Sequence, residues 1–266
     1  MQSIRKNLTF IHKTSSETCL YLYKEKLNSI QTFCLGLLER LNHSAYTLDA
    51  LFTKVETEPI HEFSIGILVR ALLLDALIGM NLFKIVKEEK NNNKTDQEIE
   101  LQAKKFCDKV LSDGLKNTLD YYEKAKELGI IDEQQLSRNK ANIAQNYKYF
   151  FHNDFSEESL KLRHEKPLSP SKLFNNLANS TELKKYCVLY DQYLYFSKYD
   201  HFGILYFDVV RNNISTILPI YKEAIGAFVA NQAFVHYVLQ ASLNDNTFMQ
   251  EQAAKTLSYL SEINSA

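Results

Sequence analysis

The stretch FSIGILVRALLLDALIGMNLF, from Phe63 to Phe83, is almost uninterrupted apolar sequence with two charges near its middle, Arg70 and Asp75. A segment this apolar must be hidden from water on all sides, and a hidden charge is costly unless it is paired and hydrogen-bonded. About twenty apolar residues is also the length that crosses a bilayer. A central Arg and Asp would each cost a few kcal/mol there, and nothing else in the chain resembles a second span, so the reading is a buried central helix of a soluble bundle with no membrane partner. On a helix turning about 100° per residue, Arg70 and Asp75 sit roughly 140° apart and about 7.5 Å along the axis. They do not share a face, and each is expected to find its partner on a different neighbouring helix. Two satisfied ion pairs in a helical core are the bland account of both residues.

The chain of 266 residues holds seven Gly, four Pro and no Trp against 16 Tyr and 16 Phe, so turns are few and helices are expected to be long. Its 31 basic and 32 acidic residues nearly cancel, which removes any global field for holding nucleic acid and leaves RNA unsupported by net charge. Cys19, Cys34, Cys107 and Cys187 are far apart and form no CxxC pair; they read as small buried hydrophobes in a reducing compartment. No secretory or lipidation signal is visible, and the expected location is the cytoplasm.

Helical spacing of three and four runs from Ser15 to about Val55, with Ser15 or Ser16 as the expected cap. Glu56-Thr57-Glu58-Pro59 breaks that pattern, and the central helix follows from about His61 to the charged run Lys84–Lys90. Asn91 to Thr95 is a polar loop, and Thr95-Asp96-Gln97-Glu98 has the capping-box spacing that opens a helix running to Leu128, with Gly129 as its stop. Asp132 is expected to cap the next helix, which ends in Tyr147, Tyr149, Phe150 and Phe151. Residues 152–170 read as an irregular excursion, followed by a short helix over Ser171 to Ala178. Ser180 or Thr181 starts the segment that ends at Phe202. A long helix is expected from about Gly203 to Ala241, kinked at Pro219, and Asp245 is expected to cap a last helix reaching about Ile263. No strand alternation or repeat is present. The expected fold is all-α, a single helical bundle of seven to nine helices with long C-terminal helices, spanning residues 1–266 as one domain.

Tyr186, Tyr190, Tyr193, Ser197 and His201 follow helical steps and are expected to form one stripe, an aromatic wall with polar tips suited to a planar ligand. Filling of the bundle by aromatic side chains is the competing account. Ser197 and His201 lie one turn apart but lack a placed acid, so they do not complete a nucleophile and base pair. The seven histidines show no HExxH or ExxH pattern that would place two ligands on one helical face, and neither a metal nor another cofactor is expected.

Arg70 and Asp75 in LVRALLLDAL, followed downstream by Ser197 to His201 in FSKYDH, resemble a prokaryotic all-helical family grouped near the HEPN superfamily, the higher eukaryote and prokaryote nucleotide-binding proteins. The resemblance covers Phe63 to Phe202. It implies a bacterial helical bundle, in some members tied to toxin or phage-defence functions, with Arg70, Asp75, Ser197 and His201 as its polar centre. Ribonuclease members carry an Arg, a polar residue and a His at short spacing on a late helix. Here that spacing occurs only in RKNLTFIH, Arg5 to His12, at the opposite end of the chain, and Arg211-Asn212-Asn213 has no histidine until His236. The leading expectation is therefore a helical protein that binds a partner or small ligand around Arg70, Asp75, Tyr193, Ser197 and His201. A metal-independent ribonuclease pairing Arg70 with His201 is the alternative. A third is a structural subunit that forms a homodimer through its last helix, where Phe248, Ala253, Leu257, Leu260 and Ile263 are expected on one face.

Overall fold

The computed structural model describes residues 1–55, 57–58, 61–152, 162–163, 168–180, 183–197, 214–243 and 246–265, with main chain alone at 187, 214–216 and 265. Among the described residues the fold is all-α. Its helices are α1 (Gln2–Leu22), α2 (Ser29–Lys54), α3 (His61–Asn91), α4 (Asp96–Glu127), α5 (Glu133–Asn146), α6 (Pro170–Ala178), α7 (Val188–Phe196), α8 (Ile214–Ser242) and α9 (Thr247–Ser265). Short 3₁₀ turns occupy Lys148–Phe150 and Lys184–Cys187. The residues pack as two compact units, one of 1–103 with 170–266 and one of 104–169, where the sequence reading treats the chain as one bundle.

In the larger unit α1 and α2 form a hairpin, α3 packs on α2, α6, α7 and α8, and α8 packs on α1, α2, α3 and α9. Two helices, not one, are therefore central. The second is α8, whose Ala224, Ile225, Phe228, Val229, Ala230, Ala233, Val235 and Leu239 are all buried. Each large apolar side chain hidden in this way contributes about 1.5–3 kcal/mol. The two cores approach closely at Gly79, where an added Cβ would lie 2.0 Å from Asn231 Oδ1 and 3.3 Å from Val235 Cγ2.

Local chemistry explains most boundaries. The helix expected from Ser15 to Val55 is in fact two. Asn28 interrupts it: its side chain accepts from Gln31 N at 2.9 Å while Gln31 Oε1 accepts from Asn28 N at 2.9 Å, a reciprocal cap of a kind that contributes about 1 kcal/mol. Ser15 is no cap but a buried residue inside α1, which begins thirteen residues earlier, at Gln2. At the end of α3, Asn93 takes φ 55°, with Lys94 N donating to Glu89 O and Asn93 N to Lys90 O, the paired bonds of a left-handed helix stop. Thr95 and Glu98 cap α4 reciprocally, and Gly129, at φ 69°, follows its end. Asp132 and Gln135 cap α5 in the same manner. The last helix is capped by Asn246, whose Oδ1 accepts from Met249 N at 3.0 Å; Asp245, the expected cap, lies outside the described residues, as do 203–213 of the expected long helix and most of 152–170.

The smaller unit holds α5 and most of α4. Ile143, Phe151 and Leu162 form its core with Leu115, Leu119, Tyr122 and Phe150, and Phe151 and Leu162 pair as an isolated antiparallel bridge.

Candidate functional site

Asp75 and Arg70 do find separate partners. Asp75, buried on α3, accepts from Arg40 Nε of α2 at 2.9 Å, while the Arg40 side chain itself stays 63% exposed. Burial pushes the Asp75 carboxyl up to about 6, because desolvation outweighs the pull of Arg40 in the other direction. Arg40 was not singled out in the sequence: it follows Leu37 and Leu38 on a helix whose neighbour was unknown.

Arg70 is half-buried and turned to α7. Its Nη2 donates to Tyr193 Oη at 3.2 Å, and its guanidinium carbon lies 4.7 Å from the centre of the Tyr193 ring. Behind it the rings continue as a column, Tyr193 parallel to Tyr190 at 6.4 Å and Tyr190 stacked on Phe174 of α6 at 4.8 Å. These tyrosines pack against one another. The expected single stripe is broken because Tyr186 belongs to the 3₁₀ turn preceding α7, which rotates it away from the helical register; it meets Phe234 of α8 edge-on at 5.6 Å. Ser197 Oγ donates to Leu194 O at 2.5 Å, within its own turn. His201 lies outside the described residues. Of the five residues expected to form the polar centre, the structure brings together Arg70 and Tyr193 and gives Asp75 to Arg40.

A different concavity is the largest of those described. A cleft of about 590 Å³ opens between α1, the turn before α7, α8 and α9. Leu189, Ala227, Leu260 and Ile263 supply apolar lining, and the rings of Tyr186 and Tyr259 join them. Lys6 from α1, Lys185 from the 3₁₀ turn and Lys222 from α8 stand around it, together with Glu223 and Glu262. Among the described residues none of the three lysines makes an ion pair; Lys6 and Lys185 instead stand 5.6 Å and 5.0 Å from the centres of the Tyr259 and Tyr186 rings. Tyr259 is fixed by stacking on Phe10 at 3.7 Å and by donating from Oη to Asn7 Oδ1 at 2.8 Å. Glu223 accepts from Gln192 at 2.9 Å.

The depth of the cleft comes from α8. Pro219, Lys222, Glu223, Gly226 and Ala227 recur at helical steps and all line it, and a Cβ added at Gly226 would meet nothing within 4 Å. Sequence reading missed this face. The adjacent small residues Gly226 and Ala227, one turn after Lys222 and Glu223, were the available signal, but which helices that face would meet is decided by packing.

Beneath the cleft α1, α8 and α9 share a buried polar layer. Gln232 Nε2 donates to Ile11 O, Thr14 Oγ1 and Ser15 Oγ at 2.7–3.0 Å. His236, wholly buried, stands between Thr18 at 3.1 Å and Thr256 at 3.3 Å, and burial, with help from Lys255, holds its imidazole down at about 3. It is neutral, offering one donor and one acceptor to the two hydroxyls. This layer also sets the orientation of α9: its buried face is Met249, Gln252, Ala253, Thr256, Tyr259 and Leu260, while Leu257, expected inside, is 41% exposed.

Arg5 and His12, the residues with ribonuclease-like spacing, are engaged elsewhere. Arg5 pairs with Asp49 at 2.9 Å, and His12 Nδ1 lies 2.7 Å from Asn42 Oδ1. In the smaller unit, Lys104 donates to Asp108 at 2.9 Å and to Tyr149 Oη at 2.7 Å, and that hydroxyl donates to Asp108 at 2.9 Å, a closed cluster whose donors and acceptors satisfy one another. Among the described residues no group of three or more His, Cys, Asp or Glu side chains could hold a metal ion. No protein-family model matches the chain, and comparison with curated proteins and with solved structures finds no significant match.

Proposed function

We propose that this protein is a binding protein whose small ligand occupies the cleft between α1, α8 and α9, and not an enzyme built around Arg70 and Asp75. One observation carries the reading: a concavity of about 590 Å³ joins an apolar lining to three lysines that make no ion pair among the described residues. Its size and mixed lining are those of small-molecule sites, which span about 300–1,000 Å³. The Arg70 guanidinium donates to Tyr193 and lies over its ring, a contact that a structural group also makes. The resemblance to the HEPN grouping supplies the setting, a bacterial cytoplasmic protein of a toxin or phage-defence system.

Titration with 8-anilinonaphthalene-1-sulfonate, an amphipathic fluorescent anion, tests the site. Gly226→Phe fills the cleft without an initial clash and should abolish the enhanced fluorescence, whereas Arg70→Met should retain it. Loss in Arg70→Met with retention in Gly226→Phe would move the site to the Tyr193 column. Cleavage of RNA by the wild type that disappears in His201→Ala would favour the ribonuclease instead.

A further inference from the structure

The charge and shape of the same cleft narrow the class of ligand. This step rests on the reading of the cleft as the binding site. Lys6, Lys185 and Lys222 come from three separate elements and line one opening, so their positive charges act together on a ligand there. Glu223 and Glu262 stand on the same rim. Three ammonium groups against two carboxylates leave a surplus of one positive charge. A polyphosphate or a dicarboxylate would place its second charge against a glutamate, and a cation would meet the lysines. A single anionic group satisfies the rim.

The interior asks for the opposite chemistry. Tyr259 Oη is already used by Asn7, so this residue presents its ring to the cleft and not a hydrogen bond. Gly226 and Ala227 leave an open strip along α8, walled by Leu189 and Leu260. Ser3, Asn7 and Asn264 line the cleft from α1 and α9, but the strip itself carries no polar side chain, and an extended apolar body along it gains by leaving water.

We infer that the cleft takes an amphipathic monocarboxylate, with the carboxylate held among Lys6, Lys185 and Lys222 and the hydrocarbon lying over Gly226. The lysines are exposed, so each contributes modestly and the set together sets a preference, weakened by salt, more than an absolute requirement.

Calorimetric titration of the full chain with laurate and dodecyltrimethylammonium below their micellar concentrations and with dodecanol below its solubility limit reads this directly. Laurate should bind at least about tenfold more tightly than the cation, as expected for a few exposed charges acting together. The double variant Lys185→Glu with Lys222→Glu should lose that preference while dodecanol binding is unchanged, which also shows that the variant is folded. Added sodium chloride should reduce the affinity for laurate and not for dodecanol. Equal affinity for the three probes, or a laurate preference that survives the double variant, overturns the inference while leaving the cleft as a binding site. Failure of all three probes to bind, or binding that Gly226→Phe leaves intact, overturns the site itself.

Discussion

Asp75 reaches Arg40 across the contact between α2 and α3, 2.9 Å from Oδ2 to Nε, with one partner buried and the other mostly in water. The asymmetry decides its energetics. Arg40 keeps much of its hydration and loses little if the partner goes, whereas Asp75 bears the cost of desolvation at neutral pH. A carboxyl moved from 3.8 to about 6 corresponds to about 3 kcal/mol of stability that is present below pH 3.8 and lost as pH rises towards 6. Asp75→Asn should therefore be at least as stable as the wild type at pH 7.5, and its advantage should shrink between pH 6 and 4. Urea unfolding at several pH values measures this. A loss of several kcal/mol at pH 7.5 would show instead that the ionised pair holds the two helices together.

His236 acts with the opposite sign. Its imidazole is held at about 3, below the ordinary 6.5, so its contribution is complete above pH 6.5 and falls away towards pH 3, by up to about 1.4 kcal/mol for each pH unit. Between pH 4 and 6 the slopes from Asp75 and His236 oppose each other, and their combined contribution should be nearly flat. Asp75→Asn should expose the histidine slope, with stability falling as pH drops. His236→Gln should expose the aspartate slope, on top of a packing loss at every pH. Parallel curves for all three proteins would refute the assignment.

The guanidinium of Arg70 over the Tyr193 ring should behave as one interaction with two parts. Tyr193→Phe removes the hydrogen-bond acceptor and keeps the ring, and Arg70→Met removes both parts. A double-mutant cycle should give a coupling of about 0.5–1.5 kcal/mol, smaller than for a fully buried ion pair because Arg70 is half-buried. A coupling indistinguishable from zero would mean that the contact in the column is incidental.

Gly79→Ala should destabilise the protein by about 1–3 kcal/mol, since its Cβ would fall on Asn231 Oδ1 and press on Val235. Asn231→Ala in that background should recover most of the loss, because Asn231 Oδ1 is buried without a hydrogen-bond partner and its removal strands no other group. Thermal melts of the two single variants and the double variant check this. Failure of the second substitution to restore stability would place the strain in the backbone of α3.

Much of the fold was determined locally. Apolar spacing marked α3, the Thr95 box and the Asp132 cap marked the starts of α4 and α5, and Gly129 marked a stop, because caps and periodicity act within a few residues of themselves. The angular offset between Arg70 and Asp75 was equally local, and it correctly required two different partners. Which partners was not local. Arg40 and Tyr193 lie far along the chain from them, and only the packing of α2 and α7 on α3 selects them. The break at Asn28 was missed because apolar spacing continues on both sides of it, so that two helices folded back as a hairpin carry nearly the same pattern as one long helix. The stripe from Tyr186 failed for the reverse reason: a short 3₁₀ turn changed the register that the spacing assumes. The cleft was least legible of all, since Lys6, Lys185, Lys222 and Gly226 acquire a meaning together only when α1, α8, α9 and the turn before α7 meet. A concave site formed by several elements has no sequence signature of its own, because its shape is a property of the gap between them.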